Sequence, residues 1–150
     1  MIFDREGIGL IMQYTNFGNT WLLRIDLGEE IMQSLKRMCE QEGIRAAQVS
    51  AIGAADHGVI GVYDLGEQKY HEEELDGFME ITSLTGNVSF TGGAPYIHLH
   101  ATLADQQHRL HGGHVIEMRV GATCEMFVQA LDGEIGRERN GELGINLWKF

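Results

Sequence analysis

Apolar and polar positions alternate with a strand-like period along most of this chain, and one stretch breaks the rule. Between Gly28 and Glu42, the apolar residues Ile31, Leu35 and Met38 recur at helical spacing, with Met32 and Cys39 beside them. The spacing predicts one helix over about residues 28–43. Glu29 and Glu30 fall in its first turn, where carboxylates suit the helix dipole, and Lys36 and Arg37 lie further along. Gly43 is placed to cap its C-terminal end. Burying each large apolar side chain of the stripe is worth about 1.5–3 kcal/mol, so this face is expected to pack on a sheet. The methionines read as core filler.

The remaining pattern reads as strands. Residues 8–15 and 20–27 flank the turn Asn16-Phe17-Gly18-Asn19. Ala46 to Ala54 is a short apolar strand in which Gly53 marks a bulge or tight bend. His57 to Tyr63 follows, with His57 an ordinary surface or turn histidine. Glu67 to Asp76 carries Lys69, His71 and Glu72-Glu73-Glu74. It reads as a solvated strand edge or loop, because consecutive carboxylates on a strand do not share a face. Phe78 to Phe90 is a long strand with a break at Gly86-Asn87, and Gly92-Gly93-Ala94 turns the chain into the next strand. Val115 to Val120 and Thr123 to Leu131 are two further strands. Residues 132–141 are polar and glycine-bearing, expected to be mobile, and Leu143 to Phe150 is a closing strand against the body. One helix and many strands with antiparallel connections predict an α+β fold: a strongly bent, mostly antiparallel sheet in a single domain over residues 1–150.

Composition narrows the function classes. The 150 residues include 11 Lys and Arg against 22 Asp and Glu, a formal net charge of −11. That balance opposes direct nucleic-acid binding, where Lys and Arg neutralise phosphates, and it disfavours anionic membranes. Hydrophobic content of 43% is that of an ordinary soluble protein, and no stretch reaches transmembrane length. The apolar run Ile8 to Met12 is too short and wrongly flanked for a signal peptide, which makes the cytoplasm the expected location. Cys39 and Cys124 sit in apolar settings and read as two buried thiols.

The chemistry concentrates in Pro95-Tyr96-Ile97-His98-Leu99-His100-Ala101-Thr102-Leu103-Ala104-Asp105 and the nearby Gly112-Gly113-His114. On a strand His98 and His100 project to one side with alpha carbons about 6.6 Å apart, and Leu99 and Ala101 point the other way. Asp105 to Arg109 reads as a hairpin connection. A three-residue loop commonly ends in a left-handed residue, and His108 suits that position. In that register Asp105 faces Arg109, Leu103 faces His111 and His100 faces His114. His98, His100 and His114 then share a face, with His111 on the opposite one. A two-residue loop would shift the register by one and turn His114 away. Three neutral imidazoles with an open position are a usual Zn²⁺ arrangement, although imidazole also suits Fe, Cu and Ni.

Several segments taken together resemble the plants-and-prokaryotes-conserved (PPC) domain. They are Arg24-Ile25-Asp26-Leu27-Gly28-Glu29-Glu30, Ala51-Ile52-Gly53-Ala54, Glu80-Ile81-Thr82-Ser83-Leu84-Thr85-Gly86-Asn87, His98 to Asp105, and Gly112-Gly113-His114-Val115. Order and spacing match from about Arg24 to Leu131, and Gly144-Ile145-Asn146-Leu147 resembles the end of stand-alone bacterial members. The resemblance implies an α+β fold, a homotrimer with sheets packed across subunit boundaries, and a metal site at His98, His100 and His114. Plant members place an AT-hook before the domain, but Gly136-Arg137-Glu138-Arg139 here is not that motif. Plant members also carry Gly-Arg-Phe-Glu-Ile-Leu for partner binding. The matching Gly77-Phe78-Met79-Glu80-Ile81-Thr82 lacks the arginine.

Three function classes remain open on these grounds. The first is a trimeric protein binding a divalent metal, zinc by preference. A zinc with an open position lowers the pKa of its water to about 7, with Glu80, Glu117 and Glu125 as candidate bases among which spacing does not choose. A metal that only holds the trimer together is the structural version, and a small-molecule ligand is compatible with either. The second is a DNA-associated or protein-interaction regulatory module. The third is a cupin-like metal-dependent enzyme, from Gly92-x₅-His98-x-His100 and Asp105. The absence of a glutamate after the pair, and the close His114, depart from that pattern.

Overall fold

A computed structural model describes residues 12–150. The first predicted strand therefore lies partly outside the described residues, as does most of Ile8 to Met12. Strands β1 (Gln13–Phe17) and β2 (Thr20–Asp26) form a hairpin around Gly18 and Asn19. Helix α1 (Ile31–Glu42) follows, then four long strands: β3 (Ala47–Asp64), β4 (Lys69–Thr91), β5 (Ala94–Ala104) and β6 (Leu110–Ala130). A separate hairpin, β7 (Gly136–Asn140) and β8 (Ile145–Lys149), completes the described chain.

The main sheet is antiparallel with order β1-β2-β6-β3-β4-β5. It bends until its last strand, β5, also pairs with the start of β6, so β6, β3, β4 and β5 close a ring. Bulges produce the bend. Register slips occur in β3 at Ala51/Gly53 and Ala55/His57, and in the β4–β5 ladder at Ile81/Ser83. An extra residue on one strand locally increases twist and curvature. The α+β class and the bent antiparallel sheet are as the pattern predicts.

Helix α1 lies against β5 and β6. Its stripe of Ile31, Leu35, Met38 and Cys39 is buried and joins one core with Ile25, Leu99, Leu103, Val115 and Met118. Gly43 takes the left-handed conformation (φ 68°) and caps the helix by donating to Cys39. The helix starts at Ile31, later than the spacing predicts, and Glu30 is its cap rather than a first-turn residue. The Glu30 carboxylate accepts from the backbone N–H groups of Met32 (3.1 Å) and Gln33 (2.6 Å), satisfying donors that the first turn leaves free. It also accepts from Met118 N–H at 3.1 Å, which ties the helix start to β6.

Four other expectations need correction. Gly86-Asn87 does not break β4, which runs through from Lys69 to Thr91 and includes the acidic stretch. Gly121 does not divide β6. Both glycines sit where a neighbouring backbone comes too close for a Cβ: His98 and Leu99 at Gly86, Ala55 and Asp56 at Gly121. The segment 132–141 is not a mobile connection, because its second half is β7. The final strand pairs with β7 rather than with the main sheet, leaving Trp148 44% and Phe150 99% exposed. Cys39 and Cys124 are free and buried, and burial pushes both thiols up to about 12.

Candidate metal centre

The β5–β6 connection decides which side of the sheet His114 occupies. Asp105 accepts backbone N–H bonds from Gln107 (2.9 Å) and Arg109 (3.0 Å), and from the Arg109 guanidinium (2.8 Å). Burial pushes its carboxyl up, but these bonds and His111 outweigh it and hold the pKa well below the usual carboxylate range. His108 takes the left-handed conformation at φ 60°. The loop is thus the three-residue form, and the predicted register follows: His100 pairs with His114 and Leu103 with His111.

Cross-strand partners share a face. The rings of His98, His100 and His114 therefore converge, with centroids 5.2, 5.1 and 5.4 Å apart. One nitrogen from each lies within 4.8 Å of the other two. Leu99 and Ala101 point into the core. His111 is on the opposite side, with Nε2 3.3 Å from Asp105 and Nδ1 3.3 Å from Glu73.

The trio is poised to donate lone pairs. Burial, then the His114 and His100 rings and Arg137, push His98 down to about 4. Burial and His100 also lower His114. His98 is therefore neutral at pH 7, as metal ligation requires. His114 Nδ1 is buried and has no hydrogen-bond partner among the described residues. Zinc at 2.0–2.1 Å from three nitrogens would set them about 3.4 Å apart, a modest inward closure of these rings. Donor type, the neutrality of His98 and the orphaned nitrogen all fit a divalent ion.

A cavity of about 500 Å³ opens over the trio. Tyr70 stacks on His114 (4.7 Å, 21°) and meets Tyr63 edge-on at 5.1 Å. Tyr96 precedes His98 by two residues and so shares its face. Asn87 and Ser89 of β4 pair with His98 and Tyr96, which brings their side chains to the same side. Arg137 of β7 lies over this group, its guanidinium 4.3 Å from the centre of the Tyr96 ring. It donates to Ser89 Oγ (2.6 Å), Asn87 Oδ1 (3.0 Å) and the Asn146 carbonyl (2.8 Å). The β7–β8 turn is fastened over the same cavity. Tyr63 donates to the Leu143 carbonyl at 2.8 Å and Gln68 to that of Glu142 at 2.9 Å. Gly144 (φ 70°) fits there because a Cβ would lie 2.6 Å from Tyr63 Oη.

The three candidate bases do not reach this cavity. Glu80 and Glu125 line a different groove with Ile52 and Phe78, and Glu117 lies 3.9 Å from His57. His57 belongs to β3 rather than a turn, and its Nδ1 is 2.8 Å from Asp76. Asp76 above all raises its pKa, so an ordinary His–carboxylate pair accounts for the His57, Glu74 and Asp76 grouping. Sequence reasoning missed Tyr70, Arg137 and the β7–β8 turn. Tyr96 was within reach, through its two-residue spacing from His98.

Residues 12–132 match the Plants and Prokaryotes Conserved (PCC) domain, and the chain belongs to that family. Solved structures agree. The metal-containing protein AF0104 from Archaeoglobus fulgidus is 36% identical, with a TM-score of 0.84 over 93% of this chain and 99% of that one. A plant- and prokaryote-conserved protein from Pyrococcus horikoshii is 32% identical, with a TM-score of 0.83 over 95% and 97% of the two chains. A Bacteroides thetaiotaomicron protein, described provisionally as DNA-binding, is 27% identical with a TM-score of 0.90 over 93% and 98%. Among curated proteins, the bifunctional protein GlmU of Synechococcus sp. JA-3-3Ab is 33% identical over 62% of this chain. The match spans only 14% of that protein's length. The single ring-closed sheet and this family membership leave the cupin-like reading without support.

Proposed function

We propose that this protein binds one divalent metal ion per chain, zinc by preference, through His98, His100 and His114, and works as a homotrimer. The convergence of three imidazole nitrogens within 4.8 Å of one another carries the metal reading. A metal-containing relative at 36% identity supports it. When bound, such an ion supplies Lewis acidity and a coordination position open to the cavity. The chain's own residues hold His98 neutral, orient the donors through the Asp105 loop and wall the site with tyrosines. Elemental analysis of the purified protein is the deciding measurement.

The trimer rests on family resemblance and on an exposed apolar face. Ile52 (60% exposed) lies in two adjoining grooves, one shared with Phe78 and the other with Phe127. A contiguous apolar surface of this kind marks an interaction site, and further copies of the chain are the occupants proposed. Sedimentation equilibrium is expected to give three times the 16.7 kDa chain mass. Ile52→Glu is expected to shift the distribution toward monomer, and a wild-type protein that sediments as a monomer would end the trimer proposal.

A regulatory role by direct DNA contact is disfavoured by the net charge of −11. In gel-shift titrations against arbitrary duplex at about 0.15 M salt, no complex is expected. Tight, salt-sensitive retardation would reverse this reading. No helix among the described residues is long and apolar enough to cross a membrane. The two free buried thiols suit a reducing compartment, and the cytoplasm is the location proposed.

A further inference from the structure

The charge around the three-histidine cavity is opposite in sign to that of the molecule. The chain carries 22 carboxylate side chains, yet among the described residues none lines this cavity. Arg137, Arg139 and Lys69 do. Lys69 is already paired with Glu67 at 2.7 Å. Neither arginine has a carboxylate partner among the described residues. Among the described residues every lysine and arginine except Lys36, Arg137 and Arg139 has a carboxylate within 3.5 Å. Two of those three exceptions meet at one cavity.

Arg137 spends three N–H groups on Ser89, Asn87 and Asn146, all uncharged partners. Its positive charge stays unneutralised, and a guanidinium has five donors, so two remain. Burial lowers its pKa, yet an arginine stays charged at any pH the fold survives. A half-buried cation held over Tyr96 by neutral groups, with a second one beside it, is a costly arrangement in the absence of an anion. The cavity's volume of about 500 Å³ suits a small molecule.

We infer that this cavity recognises a small organic carboxylate, which Arg137 and Arg139 hold while its body rests on Tyr63, Tyr70 and Tyr96 beside the three imidazoles. Guanidinium matches the planar geometry of a carboxylate. The tyrosine rings supply apolar contact that an inorganic anion would leave unused. The inference builds on the metal reading, since the ion would face the same cavity, but the arginines and tyrosines form an anion site on their own.

The test uses the full chain after zinc loading, with metal content measured for every sample. Calorimetric titrations compare benzoate with its neutral isostere benzamide, and with inorganic phosphate. Benzoate is expected to bind at least about tenfold more tightly than benzamide, the range of one charge-assisted hydrogen bond. Arg139→Gln is expected to weaken benzoate by roughly tenfold and leave benzamide and metal content unchanged. Arg139 is exposed, so this variant is free of the folding role that Arg137 has in anchoring β7. Arg137→Lys, which keeps the charge and loses the fork, is expected to weaken benzoate as well. If zinc is retained but benzoate binds no better than benzamide, or Arg139→Gln changes nothing, the anion site is wrong and the metal reading stands. If no metal is retained yet benzoate binding depends on Arg139, the metal reading is wrong and the anion site stands. Loss of both dependences refutes both, and phosphate binding more tightly than benzoate overturns the organic carboxylate.

Discussion

Wild-type protein is expected to hold about one metal equivalent per chain, and replacing His98 and His100 together with alanine to remove it almost completely. The argument follows from the donors. A lone imidazole, His114, would remain, and one neutral ligand does not retain a divalent ion through purification. The fold is expected to survive, because both side chains face the cavity while Leu99 and Ala101 between and beside them keep the core contacts. Circular dichroism matching wild type would confirm that the lost metal reflects lost ligands. Elemental analysis of the two proteins prepared side by side is the measurement. Equal metal content would mean that the ion, if any, sits elsewhere. The pH dependence has a defined sign: protons compete with metal for imidazole, so release occurs on acidification. Burial and the neighbouring rings hold His98 down to about 4, so its own competition begins only near that pH.

The site's register was legible because it rests on two local rules. Side chains alternate on a strand, and a three-residue hairpin loop needs a left-handed residue, which His108 supplies at φ 60°. Those rules place His100 opposite His114 without reference to any other part of the molecule. Arg137 obeys no such rule. It reaches the site because β7 pairs with β8 and the β7–β8 turn is fastened to Tyr63 and Gln68, contacts that span about half the chain. Residues 132–141 show only polar composition and glycine, which a surface loop shares. The three glutamates offered as bases failed for a related reason. Strand alternation gives a side chain's face but not its neighbours along the sheet: Glu80 pairs with Ala104 at the far end of β5 from His98, Glu125 shares its groove, and Glu117 lies beside His57. Glu30 shows how a short ambiguity resolves. Carboxylates favour both the cap and the first turn of a helix, and the contact with Met118 N–H holds this one at the cap.

Gly86 carries the second large effect. A glycine inside a strand pattern signals either a break or a close approach of another backbone, and sequence cannot separate the two. Here the approach is real. Gly86 pairs with Leu99. A Cβ on it would overlap the carbonyl oxygen of His98 and come within 2.9 Å of the Leu99 alpha carbon. Both obstacles are main chain, so no rotamer change relieves them. β5 cannot retreat freely, since β6 pairs with its other edge and Leu99 is fully buried. Gly86→Ala is therefore expected to cost about 3 kcal/mol, the upper part of the overpacking range. That lowers the melting temperature by roughly 6–12 °C for a chain of this size. The shift also reaches the site, because His98 and His100 flank Leu99 and move with it, so metal retention is expected to fall together with stability. Gly141→Ala is the control: its φ is not in the left-handed range and a Cβ there meets nothing within 4 Å, so little change is expected. A Gly86→Ala protein melting within about 2 °C of wild type, with its metal intact, would show that the β4–β5 spacing can absorb a methyl group, and that backbone proximity is not what reserves this position for glycine.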